Sequence, residues 1–406
     1  MRRFMSSALS LLVVALVACE GVAAEGEGEG EGEGEGEGEG EEGEGEGEGE
    51  GEGEGEGEGE GEGEGEGPCF LPDVVDGALT IPASCSPLLV PRTVTVNGSL
   101  TFEAGLTARF AAGASLSVIG SFIADGDDAT PIVLEADGAV LAGSWGGVRA
   151  ESGLDALRLD HVTIRHGGGG STQVNSTACL FIDNVPPDTI NITQSSFELC
   201  TDNCVFGVVG VRYAAFEENT FTSCPTALRI PANSIGSVGA SQTLVDAPGL
   251  VVFSGFVGET QTWQVQSSPW DFNDNNLVVD GLALPVLTLS PGLVLQFDLG
   301  ASVAVGGKAG GSLVATSVTF ESTNPAGGAG AWRGIRFAGN TIAGTLTSST
   351  VRQATTGVEL TNTEAAVTVT TTTFSDNTTD ITVDCGSDPT LTDNTAANVV
   401  VATGCN

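Results

Sequence analysis

Trp145 recurs as Trp332, Gly105 as Gly292 and Arg165 as Arg352, all at one and the same offset along the chain. Their neighbours repeat with them. Leu100-Thr101-Phe102-Glu103-Ala104-Gly105 is echoed by Leu287-Thr288-Leu289-Ser290-Pro291-Gly292, and Gly113-Ala114-Ser115 returns as Gly300-Ala301-Ser302. Ser144-Trp145-Gly146-Gly147-Val148-Arg149 returns as Ala331-Trp332-Arg333-Gly334-Ile335-Arg336. Duplication on this scale in a Gly-rich chain points to a repeat architecture, in which each unit contacts only its neighbours. Such folds escape the usual size limit of a single globular domain. Within each copy, short runs alternate apolar and polar residues: Val94-Thr95-Val96, Leu116-Ser117-Val118, Val367-Thr368-Val369. Alternation puts every second side chain on one side, which is the mark of a half-buried strand. Gly, Asn and Asp separate the runs. Two architectures accommodate strands this short: a sandwich and a coiled parallel solenoid. A sandwich predicts hairpins with two-residue turns. Asn97-Gly98 is one such turn, but most breaks lack that chemistry.

The N-terminus predicts export. Arg2 and Arg3 precede a short apolar run, Ala8 to Ala18, which is too short to span a bilayer as a helix. The run ends in Leu16-Val17-Ala18-Cys19, which resembles the lipobox of bacterial lipoproteins. That resemblance implies that 1–18 is a cleaved signal and that Cys19 is the lipidated mature N-terminus. The alternative is an ordinary signal peptide cut near Ala23-Ala24. Glu20 follows the cysteine where an Asp would favour inner-membrane retention, which leans the expected location toward the outer membrane or cell surface.

From 19 to 67 the chain is a tether. Glu25 to Gly67 alternates Glu and Gly, with one slip at Glu41-Glu42. It has no apolar side chain whose burial could offset the entropy of ordering, so disorder is expected. Charge repulsion extends such a chain: a neutral coil of this length would span about 35–40 Å, and full extension about 150 Å. The tract holds 22 of the 54 acids behind a formal net charge of −41. That charge repels phosphate backbones, so nucleic acid is not an expected partner. Calcium is the cofactor the acidity would allow, as the weaker reading, because carboxylates on a floppy chain form no preorganised cage.

The pattern "Leu-Thr-x-x-x-Gly", a Phe, "Gly-Ala-x-Leu-x-Val", then a "Trp-x-Gly-Ile" strand resembles the bacterial right-handed parallel β-helix repeat proteins. The resemblance covers Thr93 to Gly170 and again Leu277 to Asp384, with Trp263 and Pro269-Trp270 resembling the segment that links copies. It implies an all-β fold: a right-handed parallel β-helix of about a dozen rungs of roughly 20–25 residues, stacked ~4.8 Å apart. The expected organisation is an N-terminal cap at 68–92, a first module at 93–265, and a second module with a C-terminal cap at 266–406. A monomer is expected.

Eight cysteines follow the lipobox: Cys69, Cys85, Cys179, Cys200, Cys204, Cys224, Cys385 and Cys405. An even number behind an export signal argues for disulfides. Cys69 with Cys85, and Cys385 with Cys405, would staple the two ends. With the rung length that the resemblance implies, Cys179 and Cys224 lie about two rungs apart, beyond the ~7 Å reach of a bridge. Adjacent-rung pairing is therefore preferred for the middle four, with Cys200 and Cys204 not bonded to each other. A metal site at Cys200-x-x-x-Cys204 is the weaker reading, since no His lies nearby.

No catalytic site stands out. Polysaccharide hydrolases of this shape use an Asp cluster and a Gly-His-Gly element, and neither is present. His161 and His166 are the only histidines. His166 precedes the Gly167–Gly170 run and is expected to sit exposed at a rung edge. A lyase would need carboxylates and an Arg or Lys base, for which Asp125, Asp127, Asp128, Arg149 and Arg165 are the candidates. Asp125 to Asp128 also reads as a polar turn. Arg149 and Arg165 have counterparts in Arg336 and Arg352, which favours roles in the rung: stacking on aromatics or hydrogen bonds to turn carbonyls. Trp145 and Trp332 read as wall residues, and Asp271 to Asn276 as a turn or a stacked Asn ladder. The expected function is a surface-displayed, lipid-anchored scaffold with a structural, adhesive or binding role toward polysaccharide or another cell-surface component. The alternative is a carbohydrate-active enzyme of the polysaccharide lyase kind.

Overall fold

The computed structural model describes residues 69–138, 140–169, 177–208, 210–246, 249–273, 275–361 and 366–403. Residues 1–68, where the signal, the lipidated Cys19 and the tether are expected, lie outside this set, as does Cys405.

The described chain is a parallel β-helix. Every strand pairing that joins successive rungs is parallel, and three faces recur in fixed order around the coil. The right-handed sense follows the rule for crossovers between parallel strands. Face I is one continuous thirteen-stranded sheet, from Val74–Val75 to Thr373–Ser375, about 60 Å long at the spacing of stacked strands. Face II is a six-stranded sheet ending at Tyr213–Glu217, followed by a seven-stranded sheet starting at Phe256–Val257. Face III is likewise split, after Thr243–Val245 and before Gln261–Trp263. Between the two parts of face II a short helix, Ala232–Ile235, stands where a strand would be. Face I runs unbroken across residue 265, so the two sequence modules share one sheet.

Alternation accounts for the core. In Val94–Val96, Leu116–Val118 and Ile132–Ala136 the first, third and fifth members point inward and are buried, while those between face out. Inward residues stack on their counterparts one rung away, as Leu100 on Phe122 and Phe102 on Ala124. Rungs vary in length, from the short one between Leu250 and Trp270 to the long one between Leu116 and Val148, and the surplus goes into loops at the corners. The segment expected as an N-terminal cap forms the first rung itself: Val74–Val75, Ala78–Ile81 and Leu88–Val90 pair in parallel with the second. At the other end Val399–Val401 extends face II as an exposed edge strand.

Many corners turn on a single residue with left-handed backbone. His161, Gln194 and Glu218 (φ 51°, 49° and 56°) stack where face II meets face III. His166, Leu199 and Ser223 (φ 63°, 51° and 54°) do the same where face III meets face I. Such conformations are uncommon outside Gly, with Asn, Asp and His enriched. Beside them runs a buried polar column: Ser195 Oγ accepts from Val162 N, Asn219 Oδ1 from Ser195 N, and Gln242 Oε1 from Asn219 N. These side chains satisfy amide groups that the bend removes from the ladder.

Asp280 pins one of the loops. Its carboxylate accepts the backbone N–H groups of Lys308, Ala309 and Gly310 at 2.9, 2.9 and 2.7 Å. Burial pushes this carboxyl up, but the hydrogen bonds outweigh it and hold its pKa below the ordinary aspartate value. A depressed folded-state pKa gives stability that is fully present above the unfolded value of about 3.9 and lost as pH falls through the folded value. Asp280→Asn is expected to cost about 1.5–3 kcal/mol near neutral pH. In urea melts at several pH values, the gap to the parent should narrow below about pH 4. A gap that stays constant through the acid range would refute the ionised role.

Candidate functional site

The duplicated motif builds the same local device twice. Inside the coil Phe110 stacks on Trp145 at 4.1 Å between ring centroids, and Phe297 on Trp332 at 4.7 Å. Each indole Nε1 donates to a backbone carbonyl, that of Arg165 or that of Arg352, at 2.7 Å in both copies. Outside, each of these arginines pairs with a glutamate one rung earlier. Glu135 accepts from Arg165 Nε and Nη2 at 3.0 and 2.6 Å, and from Arg109 Nε at 3.1 Å. Glu321 accepts from Arg352 Nε and Nη2 at 2.8 and 2.5 Å, and from Gln296 Nε2 at 2.8 Å. Burial pushes the Glu135 carboxyl up, but Arg165 and then Arg109 outweigh it and hold it below the usual range. Glu135 and Glu321 were missed in the sequence. Their signal was present: they keep the offset of the duplication to within a single position.

The two copies are not superposed along the rod. The Arg165 strand, Val162–Arg165, belongs to face III, and the Arg352 strand, Thr350–Arg352, to face I. From Val148 on face I, seven rungs lead to Phe320 on face I, and the equivalent of Val148, Ile335, lies one face further, on face II. The second copy is turned by a third of a revolution.

The sequence-derived acid–base candidates do not converge. Asp125 is on face II, paired with Arg158 at 2.6 Å. Asp127 folds back on its own turn, accepting from Ala129 N and Thr130 N at 2.8 Å, which holds its carboxyl low. Asp128 is fully exposed, 3.3 Å from His161 Nε2. His161 Nδ1 lies 3.2 Å from Asp160 without hydrogen-bond geometry. Arg149 is on face I and Arg165 on face III. Three faces and a corner therefore separate the groups a lyase would need together.

The expectation of an exposed His166 is corrected: the residue is 5% exposed. Burial, then the positive charge of Arg165, push its imidazole below the ordinary value. It borders a cleft of about 370 Å³ with Arg109, Glu135, Asp137, Val140 and Arg165. Asp137, Gly138 and Val140, which follow the strand Ile132–Ala136, line the same cleft. Glu135 is already bonded to both arginines, so it is not free to act as a base there.

Face I carries a second small core on its outer side. Ala178–Ile182 and Asn203–Gly207 are buried at every position. Phe181 meets Phe206 edge-on at 5.5 Å, and Phe206 meets Phe253 at 5.3 Å. Arg149 lies 4.3 Å over Phe181, and Arg229 5.6 Å over Phe206. Phe181 and Phe206 are only 6% and 8% exposed, so their faces are not open platforms. Arg149 thus stacks on an aromatic ring, whereas its counterpart Arg336 reaches Thr361 Oγ1 at 3.3 Å and Glu359 at 4.0 Å.

Three disulfides close adjacent rungs or turns: Cys69–Cys85, Cys179–Cys200 and Cys204–Cys224, with Cα separations of 5.4, 5.5 and 5.7 Å. Cys385 is also disulfide-bonded. The sulfurs of Cys200, Cys204 and Cys224 lie within 4.8 Å of one another, but the bridges consume the thiolates that a metal would need. In the Asp271–Asn276 run the two last asparagines are engaged within the fold. Asn275 Nδ2 donates to Asn273 O and Val252 O, and Asn276 Oδ1 accepts from Ser302 N and Oγ at 2.9 Å. These are turn and rung-bridging bonds.

No protein family matches the chain, and no curated protein or solved structure does.

Proposed function

We propose that this chain is a surface-displayed, lipid-anchored β-helix that serves as a non-catalytic scaffold with a binding role toward cell-surface polysaccharide. The observation that carries the reading is the layout of charge. The outward arginines at Arg109, Arg158, Arg165, Arg212 and Arg352 are each paired with a carboxylate, and the candidate acids and bases lie on different faces. An enzyme needs an acid and a base within reach of one bond. A scaffold needs neutralised ladders that keep exposed sheet faces soluble and in register. The lipobox-like Cys19, the Glu-Gly tether and the export-type cysteine pattern support display at the envelope, with the tether as spacer.

The test is incubation with acidic and neutral polysaccharides, with and without calcium, scoring bound polymer and new chain ends together. Binding without new ends is the expected result. New ends from any substrate would overturn the scaffold reading in favour of a lyase or hydrolase.

A further inference from the structure

Face II is interrupted where helix Ala232–Ile235 stands in place of a strand, and there the surface opens into a cleft of about 270 Å³. It is lined by Arg212, Asn233, Ser237, Gln261, Thr262 and Gln264, among others. We propose that this cleft binds one or two rings of an uncharged, polyhydroxylated chain, a neutral glycan. The inference rests on the binding role proposed above and names the ligand class and the place.

Three observations carry it. First, the lining is amide and hydroxyl. Its one cation, Arg212, already donates to its one carboxylate, Glu259, at 2.7 Å, so the cleft has little net charge to attract an ionic ligand. Amides and hydroxyls offer donors and acceptors together, which is what a sugar hydroxyl requires.

Second, the wall is preorganised and retains unused capacity. Gln261 Oε1 accepts from Gly236 N and from Trp263 Nε1, both at 2.9 Å, which fixes the amide against a buried indole. Asn233 Oδ1 accepts from Gly258 N and Gln261 Nε2 at 3.3 and 3.4 Å. Among the described residues, Asn233 Nδ2, Thr262 Oγ1 and Gln264 Nε2 have no intramolecular partner. Groups held in place before binding lose less entropy when a ligand arrives.

Third, an exposed aromatic ring stands next to the cleft, outside its lining. Phe256 is 53% exposed on face II, and its ring edge lies against Gly258, the residue bonded to Asn233. The helix that supplies Asn233 packs against the Phe256 strand. An exposed ring offers the apolar face of a sugar a surface to cover. By contrast Phe181 and Phe206 are closed off, and the Glu135 cleft is lined by ions.

The experiment uses the full-length chain and titrates neutral glucan, mannan and galactan hexasaccharides against an oligogalacturonate, by calorimetry. Phe256→Ala, Thr262→Ala and Gln264→Ala change exposed side chains, and unchanged melting curves confirm that each variant folds. The expected result is binding of at least one neutral hexasaccharide, weakened about ten-fold by Phe256→Ala and less by each polar variant. Neutral binding that all three variants leave unchanged overturns the cleft while leaving a binding scaffold. Preference for the oligogalacturonate overturns the ligand class, and absence of binding at millimolar concentrations overturns the proposal. New chain ends would instead strike at the non-catalytic reading beneath it.

Discussion

Trp332→Ala is expected to cost about 3–5 kcal/mol, the usual range for deleting a fully buried indole, and to do so locally. Trp332 is fully buried, stacks on Phe297 and donates to the Arg352 carbonyl. The substitution leaves a cavity on one side and an unpaired carbonyl on the other. In a solenoid each rung touches only its neighbours, so the damage should stay near its origin. Hydrogen exchange read by mass spectrometry should show lost protection in Val294–Phe297, Thr319–Ser322 and Thr350–Arg352. The strands around Phe110 and Trp145 should stay protected. Trp145→Ala should give the converse, and the double variant should add, because the sites share no partners. Global loosening from either single variant would contradict a fold stabilised rung by rung.

Gly334→Ala should be at least as damaging, although it adds one carbon to a buried strand glycine. Gly334 has φ of 110°, and a Cβ there would overlap the Thr356 carbonyl oxygen in the next rung. That carbonyl cannot yield: it is main chain, beside the ladder of face II that pairs Ile335 with Val358. The repeat partner Gly147 has φ of 84°, and its Cβ would lie 2.6 Å from the carbonyl oxygens of Ala178 and Cys179. Here too the obstruction is backbone. Several kcal/mol are expected at Gly334, combining a strained dihedral with overpacking, and a similar but smaller loss at Gly147. Gly328, with open space around it, is the control. Gly328→Ala should lie within about 0.5 kcal/mol of the parent in denaturant melts. Equal melting of Gly334→Ala and Gly328→Ala would remove the close-approach explanation for the glycine of the Trp-x-Gly motif.

These two residues also show why the motif reads well in sequence. The indole must fill the interior beside a Phe, and the glycine must let two rungs approach, so both requirements are met within a short stretch of chain. The same holds for strand alternation, since the side of the sheet a residue faces depends only on its parity along the strand. The acid–base candidates are the opposite case. Asp125, Arg149 and Arg165 are near one another in the chain, yet a chain that coils through three faces separates such neighbours. The neutral cleft was illegible for the related reason that its lining comes from a short helix and from segments far before and after it in the chain.

What the amino-acid order determined by itself was therefore local and periodic: strand alternation, the duplicated Phe–Trp–Gly device, and a parallel coil. What only the tertiary structure decided was phase and partnership. The angular position of the second copy depends on the sum of every intervening rung length, short and long alike, and on the helix at Ala232–Ile235. No local pattern encodes that sum, so only the folded coil reveals a second copy turned by a third of a revolution. Glu135 meets Arg165, a full rung further along the chain, for the same reason. Their contact is set by the ~4.8 Å stacking of whole rungs, and not by any preference of the residues between them.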